Sequence, residues 1–219
     1  MEPALSVGSE RTRVRRIPDK QVTERAVLDA VLDAGRMAHV AVRDADGQPY
    51  VVPVAYGRDG DTVVVHGSTG SRLFRTLADG APTCLTVTLL DGLVVARSLF
   101  ESSMHYRSAM VLGAATALEG RSKLRALETI SEHLMPGRSA DARAPSRKEL
   151  AATLVLALPL LEWSVKVSDG PPDDAEEDLD LPVWAGVLPL TETLGTPLDA
   201  PDLRGAPPVP PYISTWAAR

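Results

Sequence analysis

Apolar positions along the chain change their spacing several times, and each change marks an element. From about Thr23 to Ala34, Val27, Leu28, Val31 and Leu32 recur at three- and four-residue intervals, which predicts a helix with Gly35 at its C-cap. The spacing then shortens and β-branched residues dominate. Strands are predicted at Met37–Val42, Tyr50–Tyr56 and Thr62–His66, joined by Asp44-Ala45-Asp46-Gly47 and Arg58-Asp59-Gly60-Asp61. Asp–Gly steps accept positive φ and favour antiparallel hairpins. A short helix with Leu73, Phe74 and Leu77 on one face closes at Gly80. Strands Thr83–Leu89 and Leu93–Leu99 follow about a turn at Asp91-Gly92. A further strand spans about Tyr106–Leu118, with Gly113 as a bulge or close-approach position.

The helical period returns over roughly Arg121–Leu134, where Leu124, Leu127, Ile130 and Leu134 mark a buried face, and Pro136-Gly137 stops it. Residues 138–145 read as loop, Lys148–Thr153 as a short helix and Leu154–Val167 as a last long strand. Six or so antiparallel strands with a few helices give an α+β fold. Long connections at 67–81 and 119–153 favour a Greek-key barrel over a simple meander. Residues 1–18, with Arg11, Arg13, Arg15 and Arg16, read as a flexible basic arm, and 19–167 as the barrel domain. Residues 168–219 are an acidic, proline-rich extension whose Val183, Trp184, Val187 and Leu188 are too apolar for a free tail, so it is expected to wrap the domain or a partner subunit.

Composition narrows the function classes. With 219 residues, 44% hydrophobic and 24% charged, the chain is an ordinary globular protein. Aromatic residues are only 4%, so aliphatic side chains must fill the core. No apolar run is long enough for a membrane span and no signal-peptide h-region is evident, so a cytoplasmic location is expected by elimination. The net charge of −6 argues against nucleic-acid binding. The single Cys84 excludes an internal disulfide, and its strand context makes it a small core residue rather than a nucleophile. His39, His66, His105 and His133 lack paired-ligand spacing for a metal ion such as zinc, there is no GxSxG motif, and no Rossmann fingerprint is present.

Two clusters carry candidate chemistry. His66-Gly67-Ser68-Thr69-Gly70-Ser71-Arg72 lies between a strand and a helix. Its hydroxyls, guanidinium and turn glycines describe a phosphate cradle. The same residues also suit a plain N-cap with turn glycines. Arg97–Ser108 contains Glu101, His105, Tyr106 and Arg107. If the stretch is extended, His105 and Arg107 share one face and Tyr106 takes the other; Glu101 and His105 adjoin only in a helix.

These clusters, with Thr86–Ser98, Met135-Pro136-Gly137-Arg138, Gly170-Pro171-Pro172 and Val183–Leu190, resemble the flavin-nucleotide-binding branch of the pyridoxamine 5'-phosphate oxidase-like family, over roughly residues 10–190. The resemblance implies a split β-barrel, a homodimer with small-molecule sites at its interface, and FMN as cofactor. It places Ser68, Thr69, Ser71 and Arg72 at the FMN phosphate, with His66 also among the cofactor-binding residues, Pro53, Val54, Thr86 and Thr88 along the flavin ring, and Lys166 and Trp184 near the site. His105, Tyr106, Arg107 and Glu101 become catalytic candidates of an FMN-dependent oxidoreductase. One departure stands out: where the group commonly reads Phe-His-His-Ser-Met-Asn-Tyr-Arg-Ser, this chain has Phe100-Glu101-Ser102-Ser103-Met104-His105-Tyr106-Arg107-Ser108. A flavin carrier without turnover is one alternative. Haem is another, since a haem site needs an axial ligand such as His66, His105 or Cys84.

Overall fold

A computed structural model describes residues 6–7, 9–44 and 46–216. Residues 1–5 and Gly8 of the basic arm, Ala45 of the first predicted turn and residues 217–219 of the C-terminal extension lie outside them. Strand β1 (Ser6–Val7) and β2 (Gln21–Val22) precede helix α1 (Arg25–Ala34), which buries Leu28, Val31 and Leu32 as the periodicity predicts. Then come β3 (Ala38–Arg43), β4 (Pro49–Val54), β5 (Tyr56–Asp59), β6 (Thr62–Ser68), α2 (Arg72–Ala78), β7 (Pro82–Val95), β8 (Ser103–Ala114) and β9 (Thr116–Ala117). Helices α3 (Gly120–Leu134), α4 (Arg138–Asp141) and α5 (Arg147–Ala151) lead to β10 (Thr153–Pro159) and β11 (Glu162–Ser168), and the chain ends with β12 (Gly186–Pro189) and α6 (Pro211–Thr215).

The strands form two sheets, antiparallel except for the β1–β11 pair. One runs β1-β11-β8-β7-β3-β4, with β12 added to β7 and β2 to β11; the other runs β5-β6-β10-β9. Three passages carry the chain from sheet to sheet in a residue or two: Ala55 between β4 and β5, Ala115 between β8 and β9, and Leu160-Leu161 between β10 and β11. The fold is the α+β split β-barrel that the resemblance implies. Between the sheets runs a row of paired residues, Val52, Val40, Leu85, Val111 and Trp163, nearly all fully buried. Ala38, Val54, Val87, Ala109 and Val165 make the next row of the same core. Packing aliphatic side chains at about 25 cal/mol per Å² of buried apolar surface replaces the missing aromatics. Helix α3 closes a smaller cluster with Val64, Val155 and Ala157 through Ala126 and Ile130.

Several boundaries differ from the sequence reading. The expected turn at Asp91-Gly92 is an irregularity inside one long strand: β7 continues through it, with a register shift against β8 between Leu90 and Gly92. The expected single strand Leu154–Val167 bends at Leu160-Leu161 and divides between the sheets. Gly113 is in regular register opposite Thr83 and serves close approach, since a Cβ there would lie 3.1 Å from Leu158 Cδ1. Gly35 does end α1, but in an extended conformation (φ −72°, ψ 143°) rather than the left-handed one. What requires glycine there is space: a Cβ would run into Val87 and sit 2.9 Å from the Tyr56 hydroxyl. Part of the stretch 138–145 is the short α4.

Described parts of both terminal segments contact the barrel. Arg11 pairs with Glu162 on β11, Ser9 Oγ donates to the same carboxylate at 2.5 Å, and Thr12 is buried. These contacts tie Ser9, Arg11 and Thr12 to the sheet, while the side chains of Arg13, Arg15 and Arg16 are exposed. In the C-terminal segment β12 pairs with the second half of β7, and the carboxylate of Asp174, almost wholly buried, accepts from Arg97 N at 2.7 Å and Arg97 Nη1 at 3.0 Å. Among the described residues, no helix is long and apolar enough to cross a membrane.

Candidate functional site

The cradle has the strand–loop–helix form read from the sequence. Ser68 ends β6, its Oγ accepting from Gly70 N at 3.1 Å, and Ser71 caps α2 by accepting from Phe74 N. Gly67 is there for packing, because a Cβ would run into the Phe74 ring; Gly70 has open space around it. The Thr69 amide is already bound to Ala152 O at 3.0 Å, leaving its exposed side chain as the available group. Arg72 is exposed, its guanidinium 4.5 Å from the centre of the Tyr50 ring and 4.0 Å from Asp44. That contact sets the cradle beside β4, the free edge of the larger sheet.

The outer face of that sheet gathers most of the remaining ring-side candidates. Strand register puts Pro53, His39, Thr86, Met110 and Ser164 in one row and Thr88, Ser108 and Lys166 in the next. Directly paired residues point to the same face, so Pro53, Thr86, Thr88 and Lys166 belong together. Lys166 Nζ is 5.9 Å from the centre of the Tyr106 ring on this side. Val54, expected beside Pro53 at the ring, points the other way: one step along a strand reverses the face, and it packs in the core. His39, Ser108 and Met110 were missed, although His39 is the one polar residue in Ala38–Val42. Cys84 is half-buried on this face between Ala41 and Leu112, and burial raises its thiol pKa, which disfavours the thiolate.

The second cluster separates. Strand β8 is extended through 103–114, so Arg107 and His105 take the face opposite Tyr106. Arg107 donates to Asp91 through Nε at 2.9 Å and Nη2 at 2.7 Å, and this fork lowers the Asp91 carboxyl pKa. The pair lines a cleft of about 910 Å³ bounded by Gly35, His133, Met135, Leu190, Leu194 and Trp216. His133 Nε2 lies 2.6 Å from Gly35 O, tying α3 to the end of α1. His105 Nε2 is 2.7 Å from Gly170 O, just beyond β11. Glu101 sits in the turn before β8, its amide donating to Ser98 Oγ at 3.1 Å, so the non-helical stretch does not bring it to His105. Trp184 is 63% exposed and lies on Gly186. His66 turns away from the barrel core toward α3 and lines a separate cavity; its Nδ1 is buried without a hydrogen-bond partner, and burial lowers its pKa.

Comparison with known proteins follows from this geometry. The family model described as pyridoxamine 5'-phosphate oxidase matches residues 24–167. No curated protein matches. Among solved structures, the FAD and haem binding protein from Mycobacterium smegmatis is 48% identical, with TM-score 0.86, covering 90% of this chain and 97% of its own. A flavocytochrome from Azotobacter vinelandii is 38% identical, with TM-score 0.88, over 94% of this chain and 96% of its own. A putative 5-nitroimidazole antibiotic resistance protein from Bacteroides thetaiotaomicron shares the fold at 24% identity and TM-score 0.57, over 67% of this chain and 86% of its own. The family match spans the strands that carry the cradle and the open sheet face, and the likeness to the first two structures extends over nearly the whole chain: this protein belongs to the pyridoxamine 5'-phosphate oxidase family.

Proposed function

We propose that this protein binds a flavin nucleotide together with haem and is a redox protein that passes electrons between them. The observation that carries the flavin half is the meeting of the Ser68–Arg72 cradle with an open sheet face bearing Thr86, Thr88, Ser108 and Lys166. Ser68, Thr69, Ser71 and Arg72 would hold the phosphate, with Arg72 supplying the charge. Pro53 offers no N–H on the exposed edge strand, which suits a flat ring laid against the face. Thr86 and Thr88 offer hydroxyls to its polar edge, and Lys166 a positive charge. Bound flavin supplies hydride and single-electron chemistry, and haem iron supplies single-electron chemistry. The names of the two relatives favour FAD over the FMN expected from the sequence. A second copy packed on the open face would enclose the ring and exclude water from it.

On the other side of the sheet, Arg107 and Asp91 form an ion pair lining the cleft, suited to orienting a polar small molecule. The electronic absorption spectrum of purified protein tests the reading: flavin and Soret bands together are expected, and a colourless protein that takes up neither cofactor overturns it. Flavin released by acid and separated by chromatography distinguishes FAD from FMN. Arg72→Ala is expected to weaken flavin binding by about 1.5–3 kcal/mol, roughly one to two powers of ten in Kd, read by fluorescence titration. An unchanged Kd would move the phosphate away from the cradle.

A further inference from the structure

From Thr191 to Pro210 the chain makes no helix or strand. A span of this length without regular structure is uncommon in a compact domain and tends to carry function. Both of its ends are fixed. At one, β12 pairs with β7, and Leu190 N donates to Asp91 O at 2.9 Å. At the other, Trp216 Nε1 donates to Pro136 O at 2.9 Å. The Tyr212 ring lies over Gly137, where a Cβ would come within 3.3 Å of it. Between these anchors, among the described residues, one polar contact ties the span to the barrel: Glu192 faces Arg36 at 3.6 Å, with the Glu192 side chain 86% exposed.

The span and its anchor form one wall of the cleft of about 910 Å³, through Leu190, Thr191, Glu192, Leu194 and Trp216. That volume falls in the range of small-molecule sites, about 300–1,000 Å³. Leu90, Met135, Leu190 and Leu194 line the cleft and remain exposed, so apolar surface faces a space the chain leaves open. Most charged groups along it already have partners. Asp91 accepts from Arg107 and Asp33 from Arg58, each through both carboxylate oxygens, and His133 Nε2 faces Gly35 O. Arg36 differs. Among the described residues its guanidinium makes no hydrogen bond, since 3.6 Å is too long for one. Its planar fork of N–H donors matches a carboxylate through two parallel bonds.

We propose that this cleft binds a small amphipathic carboxylate, with 191–210 as its lid. The apolar body of the ligand lies against Leu90, Met135 and Leu194, and its carboxylate takes Arg36 in place of Glu192. The proposal rests on the reading of this cleft as a small-molecule site. Exchange of one carboxylate for another keeps the charge at Arg36 constant and frees the lid from its polar contact with the barrel. Entry is thereby coupled to release: the lid's own carboxylate holds Arg36 until a ligand replaces it.

The test is calorimetric titration of full-length protein with 2-naphthoate and with its neutral counterpart 2-naphthamide, with thermal unfolding as a check on folding. Wild type is expected to bind naphthoate more tightly than naphthamide. Arg36→Gln should weaken naphthoate binding about 10–100-fold, the scale of a charge-assisted hydrogen bond, and leave naphthamide unchanged. Glu192→Gln should tighten naphthoate binding by removing the competing carboxylate. Tyr212→Ala, which loosens the anchor on Gly137 without touching the cleft, should raise the naphthoate dissociation rate in stopped-flow fluorescence. Leu194→Trp, at an exposed position, should weaken both probes by filling the cleft, and it decides the matter if Arg36→Gln does not fold. Equal affinities for the two probes, an unchanged naphthoate affinity in Arg36→Gln or Glu192→Gln, or undiminished binding in Leu194→Trp overturns the carboxylate site. An unchanged dissociation rate in Tyr212→Ala overturns the lid. Wild-type protein that binds neither probe overturns the small-molecule reading of the cleft and the proposal with it.

Discussion

Gly67 and Gly70 stand three residues apart in one loop and answer to different constraints. Gly67 makes room for the Phe74 ring, so Gly67→Ala forces the ring or the backbone to move; overpacking of this kind costs about 1–3 kcal/mol. Gly70 has nothing but Ser68 Oγ near its Cβ position, at 3.5 Å. Denaturant unfolding should therefore show a lower midpoint for Gly67→Ala and nearly none of that loss for Gly70→Ala, whose effect belongs on flavin affinity. Equal midpoints for both variants would contradict the packing role. The same residue-scale distinction separates Pro53 from Val54. The two are neighbours in sequence, but strand alternation sends one to the open face and the other into the core.

At the scale of elements, Tyr56 shows how β5 holds α1. Its buried hydroxyl lies 2.5 Å from Leu32 O and 3.0 Å from Gly35 O, where the helix runs out of internal partners. Tyr56→Phe removes that donor and leaves Leu32 O short of a partner, while His133 still faces Gly35 O, which should cost about 1–3 kcal/mol. A calorimetric transition at the wild-type temperature would show that water replaces the hydroxyl. The helices were legible because three-and-a-half-residue spacing is local, and most strands because β-branched runs are. Sheet membership was not. Asp91-Gly92 carries hairpin chemistry, but the same pair suits a bulge, and the continuous apolar run 154–167 hides the corner at Leu160-Leu161. The candidate site divides in the same way. The cradle is contiguous and could be read directly. The row through Pro53, His39 and Thr86 exists only through cross-strand register, and the Arg107–Asp91 fork only through the pairing of β7 with β8.

At the scale of the molecule, the open sheet face carries Val51, 60% exposed, with Pro53 and Met110 nearby in register. On the proposal that a second copy covers this face, Val51→Glu should shift the protein toward monomer in analytical ultracentrifugation and lower flavin occupancy together with it. A dimer of unchanged affinity would put the interface elsewhere. The other exposed side of the architecture is β7, which pairs with β3 over its first half and, past the irregularity at Gly92, with β12 over its second. Gly92 is part of this arrangement, since a Cβ there would lie 3.0 Å from Leu188 O. Uncovered, the second half of β7 would be a bare row of amides and carbonyls, the kind of edge that templates strands from other chains. Strand β12 covers it with four residues and ends in Pro189, beyond which there is no regular strand among the described residues. Proline cannot donate to a further ladder. The proline-rich end therefore caps the sheet against growth, and protection from aggregation is built into the same segment that closes the fold.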